Sequence, residues 1–411
     1  MEHDPHHDPH RAPAGAEKLR AWWSHRQWLD RPHTGASAAD VLAATGWARS
    51  VGGSAPYLGL FARAGLGRAE VDAAVARLEV HELPAARGCT YLLPAADFTL
   101  GLAAGAPAPA AELAAAEKHL GVGRDEVEKL CLAVERVLSE DEPLDPTTIR
   151  ELVGDAVRPL GEAGRKRGVA TTLPLALGLM QSRGRIRRVP VNGRLDQQRY
   201  GYVGWDQPVT GSPADLARRY FAWAGPATLK HFRWFSGFTA ATARRAVTEA
   251  GITPLAAGSD LLLDPELAAE FAAFEPPAAP HHTLLAGIDG IHLLHRDLPR
   301  LLDPADAARP LPAGRAGRSF GTEADPQTHV VLDRGRIVGL WEYDTERAEI
   351  VHLPFVPPDD ALRAAVARTE TFIREQLGDA RGFSLDSPKS RAPKIAALRA
   401  AAAGATGRPT G

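Results

Sequence analysis

Between Arg158 and Arg199 the chain carries ten bases against two acids. The bases are Arg158, Arg165, Lys166, Arg167, Arg183, Arg185, Arg187, Arg188, Arg194 and Arg199; the acids are Glu162 and Asp196. The local net charge is +8 in a protein whose total is −2. Segregation of this kind suits a polyanion. Planar guanidinium forks match phosphate geometry, and each neutralised phosphate releases condensed counterions. The competing account is a solvated basic surface that meets no partner. Clustering favours phosphate contact, because arginine content alone does not separate the two.

Other familiar chemistries lack their residues. There is no Gly-x4-Gly-Lys-Ser/Thr, no Gly-x-Gly-x-x-Gly after a strand, no His-Glu-x-x-His, no Cys-x-x-Cys and no Gly-x-Ser-x-Gly. Phosphate-loop, zinc and nucleophile-elbow mechanisms therefore have no support. His3, His6, His7 and His10 sit in a polar tail without apolar residues to pack a metal site. His281 and His282 follow a proline-rich stretch and read as loop decoration. His292 and His295 lie near Asp289 and Asp297, a mixture with no standard ligand spacing, and read as a strand surface or turn. No metal is expected. Aromatic residues make up 6%, too sparse for an evident stacking platform, and Trp22, Trp23, Trp28, Trp223, Trp234 and Phe235 sit at helical spacing suited to core packing.

The 411 residues suffice for several domains, with 24% charged and 45% hydrophobic side chains, the balance of a soluble globular protein. Cys89 and Cys131 cannot build a disulfide framework, so a reducing compartment is expected, and the cytoplasm is the default. No stretch of about 20 apolar residues spans a membrane, and the N-terminus lacks an apolar signal region.

The elements that must position these residues come in a repeating order. After a disordered His/Pro-rich tail at 1–15, amphipathic stretches run from 17 to 80, with Ser37 placed to cap a helix, and RGCTYLLPAADF (87–98) has strand character. This is the outline of a winged helix at 16–105. AAGAPAPAA (103–111) reads as a linker. A second unit, 109–210, has helices over 124–138, 145–157 and 171–184, then two strands around Asn192-Gly193, a strong hairpin signal. A third, 211–275, starts helices at Pro226 and Thr239 and stops them at Gly225, Gly237 and Gly251. Beyond the linker 275–282 the period becomes strand-like, with turns at 333–335 and 344–347, giving a β domain with a closing helix over 281–380. Residues 381–411 read as a basic flexible tail. The fold class is α+β, mainly α: three tandem helix-turn-helix units with wings, then a small β domain.

The stretches PYLGLFARAG (56–65), RGCTYLLPAADF (87–98), LARRYFAWAGPATLKHFRWFSGFT (216–239) and GRIVGLWEY (335–343) together resemble the bacterial winged-helix DNA glycosylases of the AlkZ type. The resemblance covers roughly 17–358 in order. It implies three tandem winged helices, a small β domain, duplex DNA as partner, and excision of bulky alkylated purines and unhooking of crosslinks without a metal or organic cofactor.

The family's catalytic Gln-apolar-Gln or Gln-apolar-Asp precedes the helix matched by PYLGLFAR. Counting back from Tyr57, those positions fall on Arg49-Ser50-Val51. Cleaving an N-glycosidic bond builds oxocarbenium character, and an acceptor must hold the attacking water. Arg49 only donates and carries the wrong charge; Val51 offers no polar group. Residues 46–56 contain no Gln, Asp or Glu. Tyr91 stands where the family often has His. Asp40, Glu79, His81 and Glu82 are substitutes within the same unit, Glu82 foremost.

The expected DNA contacts are Arg49, Arg87, Tyr91, Arg165, Lys166, Arg167, Arg183, Arg185, Arg187, Arg188 and Arg194. The leading reading is a monomeric, nucleoid-associated duplex-DNA binder of this family with weak or absent excision. The alternatives are an active glycosylase with a displaced acid, and a DNA-binding transcriptional regulator, since fold alone does not choose between them.

Overall fold

The structure, a computed structural model, describes residues 14–197, 199–312 and 318–406. The proposed N-terminal tail, with His3, His6, His7 and His10, lies outside the described residues except at its end, where a helix runs Ala14–Arg26. The architecture is mixed helix and sheet, with about 51% helix.

Helix Ala38–Thr45 leads into β1 (Ala48–Arg49), and after helices Ala55–Ala64 and Arg68–Ala76 come β2 (Val80–Pro84) and β3 (Thr90–Pro94), the three strands forming an antiparallel sheet ordered β1-β3-β2. Ser37 caps the first helix in a reciprocal box with Asp40, so Asp40 is spent on a helix start rather than on chemistry. Glu79 pairs with exposed Arg77 at 2.7 Å.

The segment 103–111 is helical, not a linker: Phe98–Gly105 is followed directly by Pro107–Leu120, with proline at the tolerated first position. Helices Arg124–Val137, Pro146–Val153 (capped by Asp145) and Leu173–Ser182 enclose a core of their own, including Leu130, Val134, Ile149 and Met180. β4 (Ile186–Pro190) and β5 (Tyr200–Gly204) pair antiparallel. Their connection is not a two-residue turn at Asn192-Gly193. The strands end at Pro190 and Tyr200, with one further bond from Val191 N–H to the Arg199 carbonyl at 2.9 Å, and Leu195 in the loop inserts into the core of the N-terminal unit, fully buried. Its N–H donates to the Tyr57 hydroxyl at 2.9 Å. A tertiary anchor overrides the local turn signal.

Next come helices Pro213–Ala224, Leu229–Ser236 and Ala240–Glu249, with Thr239 capping the last and Gly237 closing the second as expected. The middle helix starts at Thr228, which caps it, rather than at Pro226. Short strands β6 (Ala227–Thr228), β7 (Thr253–Pro254) and β8 (Leu261–Leu263) pair in the order β6-β8-β7.

The C-terminal sheet joins β9 (His282–Leu285), β10 (His329–Asp333), β11 (Arg336–Asp344) and β12 (Glu349–Pro354) in the order β12-β11-β10-β9, all antiparallel. Arg334 and Gly335 turn β10 into β11 with positive φ at both residues, as a tight hairpin requires. Gly335 is obligatory: a Cβ there would lie 1.9 Å from the Arg20 carbonyl oxygen.

This sheet is buried on both faces, which explains its near-continuous apolar strands. Leu284, Val331 and Trp341 share a core with Leu60, Leu92 and Phe372. Leu285, Val330 and Leu340 share another with Trp22, Trp23 and Leu398. Three sequence expectations are corrected here. The supposed flexible tail from 381 contains a helix, Pro388–Thr406, with Ile395 and Leu398 in the core and Arg391 buried on Asp379 at 2.7 Å. His282 is not loop decoration but a buried strand residue facing Asp359 at 3.2 Å. His292 lies in a short helix, Gly290–Leu293, rather than on a strand, and both it and His295 are buried.

Candidate nucleic-acid interface

In the β1-β3-β2 sheet, residues directly opposite one another share a face. Arg49 faces Tyr91, which faces Leu83; Ala48 faces Leu92, which faces Glu82. The ribbon therefore sends Arg49 and Tyr91 to one side and Glu82 to the other.

On the first side, Arg49 Nη1 donates to the Thr90 carbonyl at 3.0 Å, and the guanidinium lies 5.4 Å from the Tyr91 ring centre. Tyr91 is buried between Trp47 and Phe235, and its hydroxyl has no partner among the described residues. Burial pushes that hydroxyl's pKa up to about 12, so it stays a donor.

On the second side, the Ser50 hydroxyl donates to Glu82 Oε1. Glu82 is 3% exposed. Burial raises its pKa, opposed by the Arg188 charge and by the Ser50 and Tyr200 hydroxyls. Oε2 has no well-formed hydrogen bond, although the Tyr200 hydroxyl is near enough to favour the charged form. Arg188 reaches across from β4, donating to Thr90 Oγ1 at 3.0 Å and resting 4.7 Å from the Tyr200 ring centre. His81, one residue before Glu82, is buried, and neither ring nitrogen makes a well-formed hydrogen bond among the described residues, although the Arg188 backbone is near enough to favour the charged ring. Burial, reinforced by Arg187 and Arg188, takes its pKa down to about 3, so the ring is neutral.

Val51 lies beyond β1 in a bend. Its carbonyl accepts the Ser384 N–H at 3.1 Å, and Ser54 N–H donates to the Arg381 carbonyl at 3.0 Å. The chain at 381–384 thus lies over the loop 51–54 so closely that a Cβ on Gly53 would sit 2.4 Å from the Gly382 oxygen.

The basic segment is less bare than its sequence implied. Arg158 pairs with Glu126 at 2.7 Å, Arg183 with Glu128 at 2.6 Å, and Arg185 with Glu135 and with Asp206 at 3.1 Å. Arg194 holds Asp196 at 2.8 Å and the Leu377 carbonyl at 3.1 Å, and Lys166 pairs with Glu162 at 2.8 Å. The helix Arg124–Val137 supplies three of these acids from outside the counted window. Arg165, Arg167, Arg187, Arg188 and Arg199 have no ion pair among the described residues. Among the described residues of the segment, Arg188 alone reaches the β1-β3-β2 ribbon by a side-chain hydrogen bond.

Arg87 is exposed, adopts a left-handed backbone (φ 59°), and lies 3.9 Å from the Trp234 ring centre. Arg296, also left-handed, lies 4.9 Å from that ring. Trp234 is half-buried, packed against the core that holds Phe232 and Phe235 while also flanked by two guanidiniums. Sequence reasoning missed Ser50, Thr90, Tyr200 and Arg296. The only available signal was that Ser50 lies between the two motif positions.

No group of three His, Cys, Asp or Glu residues able to hold a metal occurs among the described residues, and no helix there is long and apolar enough to cross a membrane.

No curated protein matches the sequence. The structure is similar to that of Streptomyces sahachiroi DNA glycosylase AlkZ, with a TM-score of 0.66 and 23% identity over 89% of this chain and 97% of that one. At that identity the likeness speaks for the fold. The sequence profile of DNA glycosylase AlkZ-like proteins matches residues 33–372. The chain belongs to the AlkZ-like DNA glycosylase family.

Proposed function

We propose that this protein is a duplex-DNA-binding member of its family whose excision step is severely weakened. Its helices and ribbons act as three tandem winged-helix units and a β domain, working as a cofactor-free monomer on nucleoid DNA. The observation that carries the reading is the placement of Arg49. At the position where the resemblance puts a hydrogen-bond acceptor beside the sugar, a guanidinium is tethered to the Thr90 carbonyl and laid on Tyr91. Excision requires water to add to C1′ while the C1′–N9 bond breaks and its electron pair leaves with the purine. A cation at that point opposes the oxocarbenium charge, and it cannot take the water's proton. Losing one well-placed polar group costs about 10²–10³ in rate.

The test is single-turnover release of an N7-alkylguanine from a duplex. The parent protein should release base at least about 100-fold more slowly than an Arg49→Gln/Val51→Asp variant, while both bind the duplex. Equal rates would sink the proposal.

One observation favours a second reading. Glu82 sits under Ser50, between the motif positions, and burial raises its pKa. It could serve as a displaced base once ionised. Robust release by the parent, abolished in Glu82→Gln, would establish that reading.

A further inference from the structure

Two large apolar side chains are displayed beside the motif loop. Leu385 is 92% exposed and Phe383 48% exposed. Single exposed apolar residues are ordinary, but these two are neither single nor loose. They flank Ser384, whose N–H is bonded to the Val51 carbonyl. With consecutive Cα atoms about 3.8 Å apart, each is one residue away from a backbone contact to a motif position. The turn itself is fixed: Phe383 N–H donates to Asp386 Oδ2 at 3.0 Å, and Ser54 donates twice to the Arg381 carbonyl. The Arg381 guanidinium donates to the Asp196 carbonyl in the loop between β4 and β5. The turn lies beyond the family-matched span, which ends at 372.

We propose that Phe383 and Leu385 form an apolar wedge that enters the base stack of duplex DNA beside the motif loop. The proposal rests on the DNA-binding reading above. Opening a base step is unfavourable, and side chains such as Phe and Leu offset that by taking the vacated stacking surface. The hydrogen bonds hold the backbone of the turn in place before DNA arrives, so only the side-chain rotamers need ordering on contact. Neighbouring bases outnumber the turn's one acid, Asp386: exposed Lys389 follows the turn, Arg49 lies on the first ribbon, and Arg188 reaches that ribbon from β4. The other occupant of such a patch is a second copy of this chain.

The experiment uses the full-length protein and a duplex carrying 2-aminopurine beside a tetrahydrofuran abasic analogue. Binding by the parent should raise the fluorescence severalfold as the probe unstacks. Phe383→Ala/Leu385→Ala should abolish most of that rise and weaken binding about tenfold. The slope of log affinity against log salt should stay unchanged, because no phosphate contact is lost. Leu132→Ala, at an exposed leucine on the helix Arg124–Val137, should alter neither. A double variant that keeps the parent's affinity and fluorescence overturns the wedge alone. A parent protein that does not bind duplex at low salt overturns the DNA-binding reading with it. A dimeric parent that the double variant renders monomeric assigns the patch to self-association and overturns the wedge.

Discussion

The residues around Glu82 draw on parts of the chain far apart in sequence. Ser50 and Glu82 satisfy one another, and Arg188 supplies the positive charge that a buried carboxyl needs. This pairing was only partly legible. Glu82 stood out as an acid close to the motif in sequence, but neither Tyr200 nor Arg188 is near it along the chain, and their approach depends on how β4 and β5 meet the first ribbon. Burial raises the Glu82 pKa, so the folded protein retains a proton that the unfolded chain releases near pH 4.3. The residue's contribution to stability is complete below that pH and is lost as pH rises. Glu82→Gln, nearly isosteric and never charged, should therefore gain stability relative to the parent as pH goes from 4 to 8. Urea unfolding at both pH values measures this, and a difference that shrinks with rising pH would show that the carboxylate is favoured in place.

At the scale of elements, a count of charges along the sequence is a poor guide to charge in space. The window 158–199 holds a net +8, yet the helix Arg124–Val137 folds back to give Glu126, Glu128 and Glu135 to its arginines. Paired arginines hold their guanidiniums against carboxylates, and DNA must first displace those partners. Arg187 and Arg188 on β4 make no ion pair among the described residues, although the Arg188 charge lies near enough to Glu82 to favour its ionised form. Arg187→Ala/Arg188→Ala should accordingly flatten the salt dependence of DNA affinity by about two contacts, roughly one per residue. Arg183→Ala/Arg185→Ala should flatten it far less. Titrations of a fluorescent duplex from 50 to 200 mM salt, a range in which such slopes are readily resolved, compare the two pairs; equal slopes would mean the surface ion pairs are irrelevant. Helix caps and turns were the legible part, because Ser37, Asp145, Thr239 and Arg334-Gly335 act through neighbours in sequence. The hairpin loop and the last helix were not. Leu195 gains its place from a core built by residues more than 50 positions away and Leu398 from one that includes Trp22, Leu285 and Leu340, and the alanine-rich run holding Leu398 looks like a tail on its own.

For the whole molecule, burial of neutral histidines sets an acid limit. His81 and His295 have pKa values lowered to about 3 and His292 to about 4, in each case first by burial. Unfolded, each titrates near 6.5. As pH falls below that value the unfolded chain binds protons the folded chain refuses, so stability drops. The loss is about 1.4 kcal/mol per histidine for each pH unit between the two pKa values. Urea midpoints should fall steeply between pH 6.5 and 5, above the range where carboxylates titrate, and a flat profile there would contradict the burial of these rings. The histidines bridge parts of the chain far apart in sequence: His295 stacks on Trp23 and bonds the Ala224 carbonyl at 2.8 Å. The C-terminal sheet does the same on a larger scale, since one face completes the core begun by residues 38–92 and the other needs Trp22 from the first helix and Leu398 from the last. That arrangement governs how the protein can be made. A ribosome delivers about 5–20 residues each second. The apolar side of Ala55–Ala64 therefore emerges roughly 10–45 s before β9, which packs on it, has been translated, and longer still before β10 and β11 complete the sheet. Until then the newborn N-terminal unit is an unfinished half of a core, and the two cores close only when nearly all of the chain has left the tunnel.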